Sequence, residues 1–163
     1  MLQILIYNEK GSLIVEILVV IAIIAFAFAG LFGLVIFSLD ASHLSSQNTQ
    51  AKALVQEEIE ALRNFRDGTT WSQNGLGVLT TGQNYYLQAS GGRWQLALGQ
   101  ETIGNFTRKI IFSDVQRDVN SNIVSNGGVN DPETKKAGVS VSWTEKGRPH
   151  QISISTYFTN WGR

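Results

Sequence analysis

The sequence predicts an α+β protein in which a long N-terminal helix packs on a small antiparallel β-sheet. Three observations predict it. The chain of 163 residues is almost wholly apolar from residue 12 to 39 and polar beyond. Apolar residues then recur at helical spacing as far as Phe65, and the last third turns to strand-like alternation. A chain of this length holds one compact domain plus one extended element. Four segments follow: a short N-terminal segment (1–11), an apolar helix (12–39), an amphipathic continuation (40–67) and a sheet domain (68–163).

From Ile17 to Phe37 no side chain is charged or polar. At about 1.5 Å per residue this stretch spans roughly 30 Å, the thickness of a bilayer core. A helix that is apolar all round must be buried, and the remaining chain is too small to wrap it. The segment is therefore expected to cross a membrane once. Glu16, between Val15 and Ile17, breaks the run. A carboxylate near hydrocarbon costs on the order of 3 kcal/mol on insertion scales, so it usually has a partner or a role. Two readings stay open for it: snorkelling to the interface, with Lys10 as the nearest upstream cation, or a specific partner or role of its own. Ala27-Phe28-Ala29 before Gly30 has the small-x-small form of a secretory cleavage site. Ordinary signals turn polar there, whereas this run continues from Leu31 to Phe37.

Beyond Leu39 the helix is expected to continue as an amphipathic rod to about Arg66. Leu44, Ala51, Leu54, Val55, Ile59, Leu62 and Phe65 mark its apolar face. Gln47, Lys52, Gln56, Glu57, Glu60, Arg63 and Asn64 mark the other, and the acidic run around Glu57-Glu58 reads as solvated. Asp67-Gly68 supplies the stop. Continuous from Ser12, such a helix would be on the order of 80 Å long.

Strands are expected at Tyr85–Gln88, Trp94–Leu98, Phe106–Ser113, Val139–Thr144 and Gln151–Phe158, with Val139, Val141, Trp143, Ile152 and Ile154 inward. The turn-like Glu145-Lys146-Gly147-Arg148-Pro149 makes the last two an antiparallel hairpin. Trp71, Tyr85, Tyr86 and Trp94 read as anchors for a loop-rich region. The 114–133 segment reads as a flexible loop. Asp118-Val119-Asn120-Ser121-Asn122 has the oxygen spacing of a calcium loop, but Ile123 and Val129 stand where its Gly and Glu belong.

Composition excludes several functions. Lys+Arg and Asp+Glu number 13 each, so nothing seeks phosphate and no nucleic-acid partner is expected. The chain has no cysteine, hence no disulfide, thiolate metal site or cysteine nucleophile. His43 and His150 lie in different regions without metal-ligand spacing. There is no Gly-rich phosphate loop, nucleophile elbow or histidine pair. No enzyme activity, cofactor or metal is expected.

Lys10-Gly11-Ser12-Leu13-Ile14-Val15-Glu16, running into Ile17-Leu18-Val19-Val20-Ile21-Ala22-Ile23-Ile24, resembles the prepilin-type cleavage and methylation motif of type IV pilins and type II secretion pseudopilins. Gln56-Glu57-Glu58-Ile59-Glu60-Ala61-Leu62-Arg63 also resembles minor members of that family. The resemblance implies a pilin-like fold and a leader (1–11) with Lys10 as its basic residue. It implies cleavage between Gly11 and Ser12 by a membrane prepilin peptidase, N-methylation of Ser12, and an assembly role for Glu16 as the fifth mature residue. It implies a structural subunit, a minor pilin or pseudopilin, that waits in the inner membrane with its C-terminal domain outside the cytoplasm. Its partners would be the peptidase and other pilin or pseudopilin subunits. Ser12 stands where the family often has Phe or Met, Gly33 lies where many major pilins carry Pro, and the C-terminal cysteine pair is absent. The alternative is a signal-anchored or secreted ligand-binding β domain. The mature N-terminus separates the readings: Ser12 for a prepilin, Gly30 for a secretory signal, Met1 for an uncleaved anchor.

Overall fold

The computed structural model describes the backbone of residues 9–160 and the side chains of residues 13–160. The chain divides into two units, Met1–Ser45 and Ser46–Arg163. One helix, α1 (Glu9–Asp67), supplies the described part of the first unit and opens the second. Its backbone is helical through Gly30 and Gly33, and neither glycine breaks it. It ends where Gly68 N–H donates to the Asn64 carbonyl at 3.0 Å and the Thr69 hydroxyl donates to the Phe65 carbonyl at 2.8 Å. Orphan carbonyls of the last turn are thereby satisfied.

In the second unit the sheet consists of β1 (Asn84–Ser90), β2 (Arg93–Leu98), β3 (Glu101–Ile103), β4 (Phe106–Arg117), β5 (Ile123–Val124), β6 (Val129–Glu145) and β7 (Arg148–Thr159). The order is β2-β1-β4-β6-β7, with β3 and β5 also paired to β4, and every pairing is antiparallel. This is the expected α+β architecture, a long helix on an antiparallel sheet. The expected strands all form, and β3 and β5 are additional. The β6–β7 hairpin turns through Lys146 and Gly147, both at positive φ (50° and 76°). That pair of left-handed residues matches the twist of a two-residue hairpin.

Side chains alternate across the sheet because successive residues of a strand face opposite sides. On β4, Phe106, Arg108, Ile110 and Phe112 are buried, while Thr107, Lys109 and Ile111 are half-exposed. On β6, Ala137, Val139, Val141 and Trp143 are buried on the same face. They meet Ala51, Val55, Ile59, Leu62 and Phe65 of α1, buried at the helical spacing the sequence shows. Each such large apolar side chain, fully buried, contributes about 1.5–3 kcal/mol. Trp71 and Tyr85 are the loop anchors. The Trp71 indole N–H donates to the Pro132 carbonyl at 3.1 Å, and the Tyr85 hydroxyl donates to the Thr80 carbonyl at 3.1 Å.

Three expectations need correction. Strand enters the 114–133 segment from both ends: β4 continues to Arg117, β6 begins at Val129, and residues 118–128 between them are irregular apart from the two-residue β5. A register shift lets this happen, since Asp114 pairs with Lys135 but Val115 pairs with Asp131. Pro132 falls in that bulge, where its missing N–H is not needed by β4. Second, Ile154 faces inward opposite Val139 but stays 39% exposed. Among the described residues β7 is an edge strand with no neighbour beyond it, and α1 reaches it at Phe158, under the Arg66 guanidinium. Third, the acidic stretch of α1 is not wholly solvated. Glu57 and Glu60 are exposed, but Glu58 is buried. Gln47 also leaves the polar face, accepting from the Trp143 indole N–H at 2.9 Å and donating to Glu145 at 2.6 Å.

Candidate assembly surface

An apolar helix with no protein around it is the most unusual surface of the described chain. Every side chain from Leu13 to Phe37 is exposed, and large ones such as Phe26, Phe32 and Leu34 are more than 60% bare. The segment is long and apolar enough to cross a membrane, and none of it is buried. Soluble proteins seldom leave more than a few hundred Å² of contiguous apolar surface in water, and a bare apolar helix is the kind of surface that lipid or other helices cover.

The residues singled out in the sequence lie on this helix. Lys10, Gly11 and Ser12 fall in its first turn, where the backbone is helical and the side chains lie outside the described residues. Residues 1–8, the rest of the segment expected to be a leader (1–11), also lie outside them. Glu16 is exposed, four residues beyond Ser12 and so on the same helical face.

Helical spacing brings out a feature that the apolar run conceals. Ala22, Ala25, Ala29 and Gly33 recur at intervals of three and four, which aligns them along one face. A Cβ built on Gly33 or Gly30 would meet nothing within 4 Å. Small residues in such a row let a second helix approach closely in a membrane. Reading the run for hydropathy alone hides this; reading it for side-chain size reveals it.

Among the described residues of the folded unit, no three His, Asp or Glu side chains stand where they could hold a metal. Asp118 is engaged by its own loop: it accepts hydrogen bonds from the backbone N–H groups of Asn120 and Asn122 and from the Asn122 amide. Those bonds hold its carboxyl below the usual range. An open cleft of about 900 Å³ lies between the end of α1 and β2, lined by Phe65, Asn74, Leu79 and Trp94 among others, with no carboxylate or imidazole in its wall.

Ion pairs instead tie elements together. Lys135 donates to Asp114 at 2.5 Å across β6 and β4, and Arg117 donates to Asp131 at 2.6 Å beside the bulge. These hydrogen bonds hold the carboxyls of Asp114 and Asp131 below their ordinary values. Glu58 is shifted the other way. Its burial raises the carboxyl's proton affinity, against the opposing influence of the Arg108 charge and the Leu87 N–H.

Comparison of the chain with protein families, with curated proteins and with solved structures finds no match.

Proposed function

We propose that this protein is a membrane-anchored structural subunit whose apolar helix inserts first in a bilayer and then among the helices of neighbouring subunits. More particularly, it is a prepilin-like precursor of a minor pilin or pseudopilin, acting in a type IV pilus or a type II secretion-like machine. The observation that carries the reading is the bare apolar helix continuing into a folded α+β unit. Support comes from the Lys10-Gly11-Ser12 junction before it and from Glu16 one turn further on. Cleavage between Gly11 and Ser12 would create an amine at Ser12, able to neutralise a Glu16 carboxylate away from water. Gly11 eases local unwinding of the first turn, because glycine is a poor helix former. The precursor would sit in the inner membrane with residues 40–163 outside the cytoplasm.

The test is to co-express the chain with a prepilin peptidase and weigh the product. The expected mass is that of residues 12–163, and Gly11→Asp should leave the precursor uncut because the junction needs a small uncharged residue. Loss of residues 1–29 instead would sink the reading in favour of a secretory signal and a released β domain.

A further inference from the structure

The helix buries a carboxylate that the surrounding fold does not satisfy. Glu58 is 0% exposed. Its Oε1 accepts a hydrogen bond from the Leu87 N–H of β1 at 3.0 Å. Its Oε2 accepts none, although Arg108 Nε of β4 lies 2.9 Å away. That N–H is aimed elsewhere: Nε donates to Oε2 of Glu101 on β3 at 3.2 Å, and Nη2 donates to the same oxygen at 2.5 Å. Nη1 is turned to the Leu54 carbonyl at 3.5 Å and lies 3.4 Å from Glu57. One guanidinium therefore faces three carboxylates and gives its aligned donors to the half-exposed one. A buried carboxylate is tolerated as an ion only when it is paired and hydrogen-bonded.

We propose that Glu58, Arg108 and Glu101 form a proton-operated exchange latch, in which protonated Glu58 leaves Arg108 on Glu101 and ionised Glu58 draws Arg108 away, releasing the β3–β4 hairpin. One proton passes between Glu58 and solvent, and Arg108 stays charged throughout. The groups facing Glu58 are Glu57 on its own helix, the Leu87 N–H of β1, Glu101 of β3 and Arg108 of β4. Little motion is needed, because Nε already lies between the two carboxylates. The release matters because β3 has three residues and pairs only with β4, where Glu101 and Arg108 are direct cross-strand partners. Beside that hairpin lies an apolar recess of about 550 Å³, lined by Ala53, Leu54, Ile103 and Phe106 among others. Burial of Glu58, aided by the charges of Glu101 and Glu57, favours the protonated state.

The latch is testable on the full chain in detergent micelles, following glutamate carboxyl carbons and the Arg108 Nε–H resonance by NMR across the acid-to-neutral range. Glu58 should titrate above the ordinary value of 4.5, and the Arg108 resonance should move with the same midpoint. Glu101→Gln should lower that midpoint by about one pH unit, because Glu58 then has the guanidinium to itself. Glu58→Gln, which keeps the acceptor for Leu87, should abolish the Arg108 step that coincides with the Glu58 midpoint. An Arg108 signal that stays still while Glu58 titrates overturns the proposal. So does a Glu58 midpoint at or below 4.5, or one indifferent to Glu101→Gln.

Discussion

Glu16 and Glu58 are two carboxylates on one helix with opposite surroundings. Glu16 projects from an apolar stretch that has no protein cover, and Glu58 is sealed under a sheet. The cost of a charge away from water falls when a partner is close, so each residue's role depends on what meets it. For Glu16 the partner would be an amine at Ser12, in the same chain or in a neighbour. Glu16→Ala should leave membrane insertion intact, since it makes the span more apolar. It should also leave the sheet domain folded and lower incorporation into filaments. Comparing membrane and sheared-filament fractions in a cell with its own assembly machinery decides this, and normal incorporation would mean that Glu16 merely snorkels. Glu58 shows where sequence reading stops. Its neighbours Glu57 and Glu60 are exposed as an acidic helix stretch should be, and composition alone gives no reason to separate Glu58 from them. The signal was its place in the repeat, four residues before Leu62 and three after Val55, overridden by its charge.

At the level of elements, α1 and the sheet hold each other through a few fully buried side chains, Val55 and Leu62 on one side and Ile110, Phe112, Val139 and Val141 on the other. Leu62→Ala should cost about 2–5 kcal/mol, the range for deleting a buried leucine side chain. Denaturant unfolding followed by far-ultraviolet circular dichroism would measure it; a loss under 1 kcal/mol, well below that range, would mean that the helix is not the sheet's principal cover. The helix and the strands flanking the Lys146-Gly147 turn were legible because period and turn chemistry agree there. The long strands through residues 114–133 were not. Asn, Gly and Ser crowd that stretch, and the bulge at Asp114/Val115 shifts the alternation that would have marked it. β3 and β5 are too short to show any period. Ile154 was legible in direction but not in cover, because no local pattern tells an edge strand from a central one.

For the molecule as a whole, acidity acts through two sets of groups in separate ranges. Asp114 and Asp131 have lowered folded-state values, so the stability they confer is present above their ordinary 3.8 and is lost as pH falls through the folded values. Glu58 has a raised value, so its contribution is complete below 4.5 and is lost as pH rises through the folded value. The thermal midpoint should therefore peak in mildly acidic solution. Asp131→Asn should flatten the acid limb and Glu58→Gln the other, and a midpoint that climbs steadily into neutral pH would contradict the Glu58 assignment. Residues 46–163 carry the whole described sheet and its helical cover, and should fold as a soluble unit without the apolar segment. Sedimentation at low concentration together with dispersed amide resonances would check it, and a molten spectrum would count against it. Yet the same unit carries a liability in β7. From Gln151 to Asn160 this open edge bears no charge, and Ile154 and Tyr157 remain partly bare along it. Natural edges usually carry a lysine, a bulge or a proline along their length, and here Pro149 guards only the beginning. Copies of this unit crowded together without the apolar helix are thus poised to stack β7 on β7, growing dye-binding ribbons in place of shapeless precipitate.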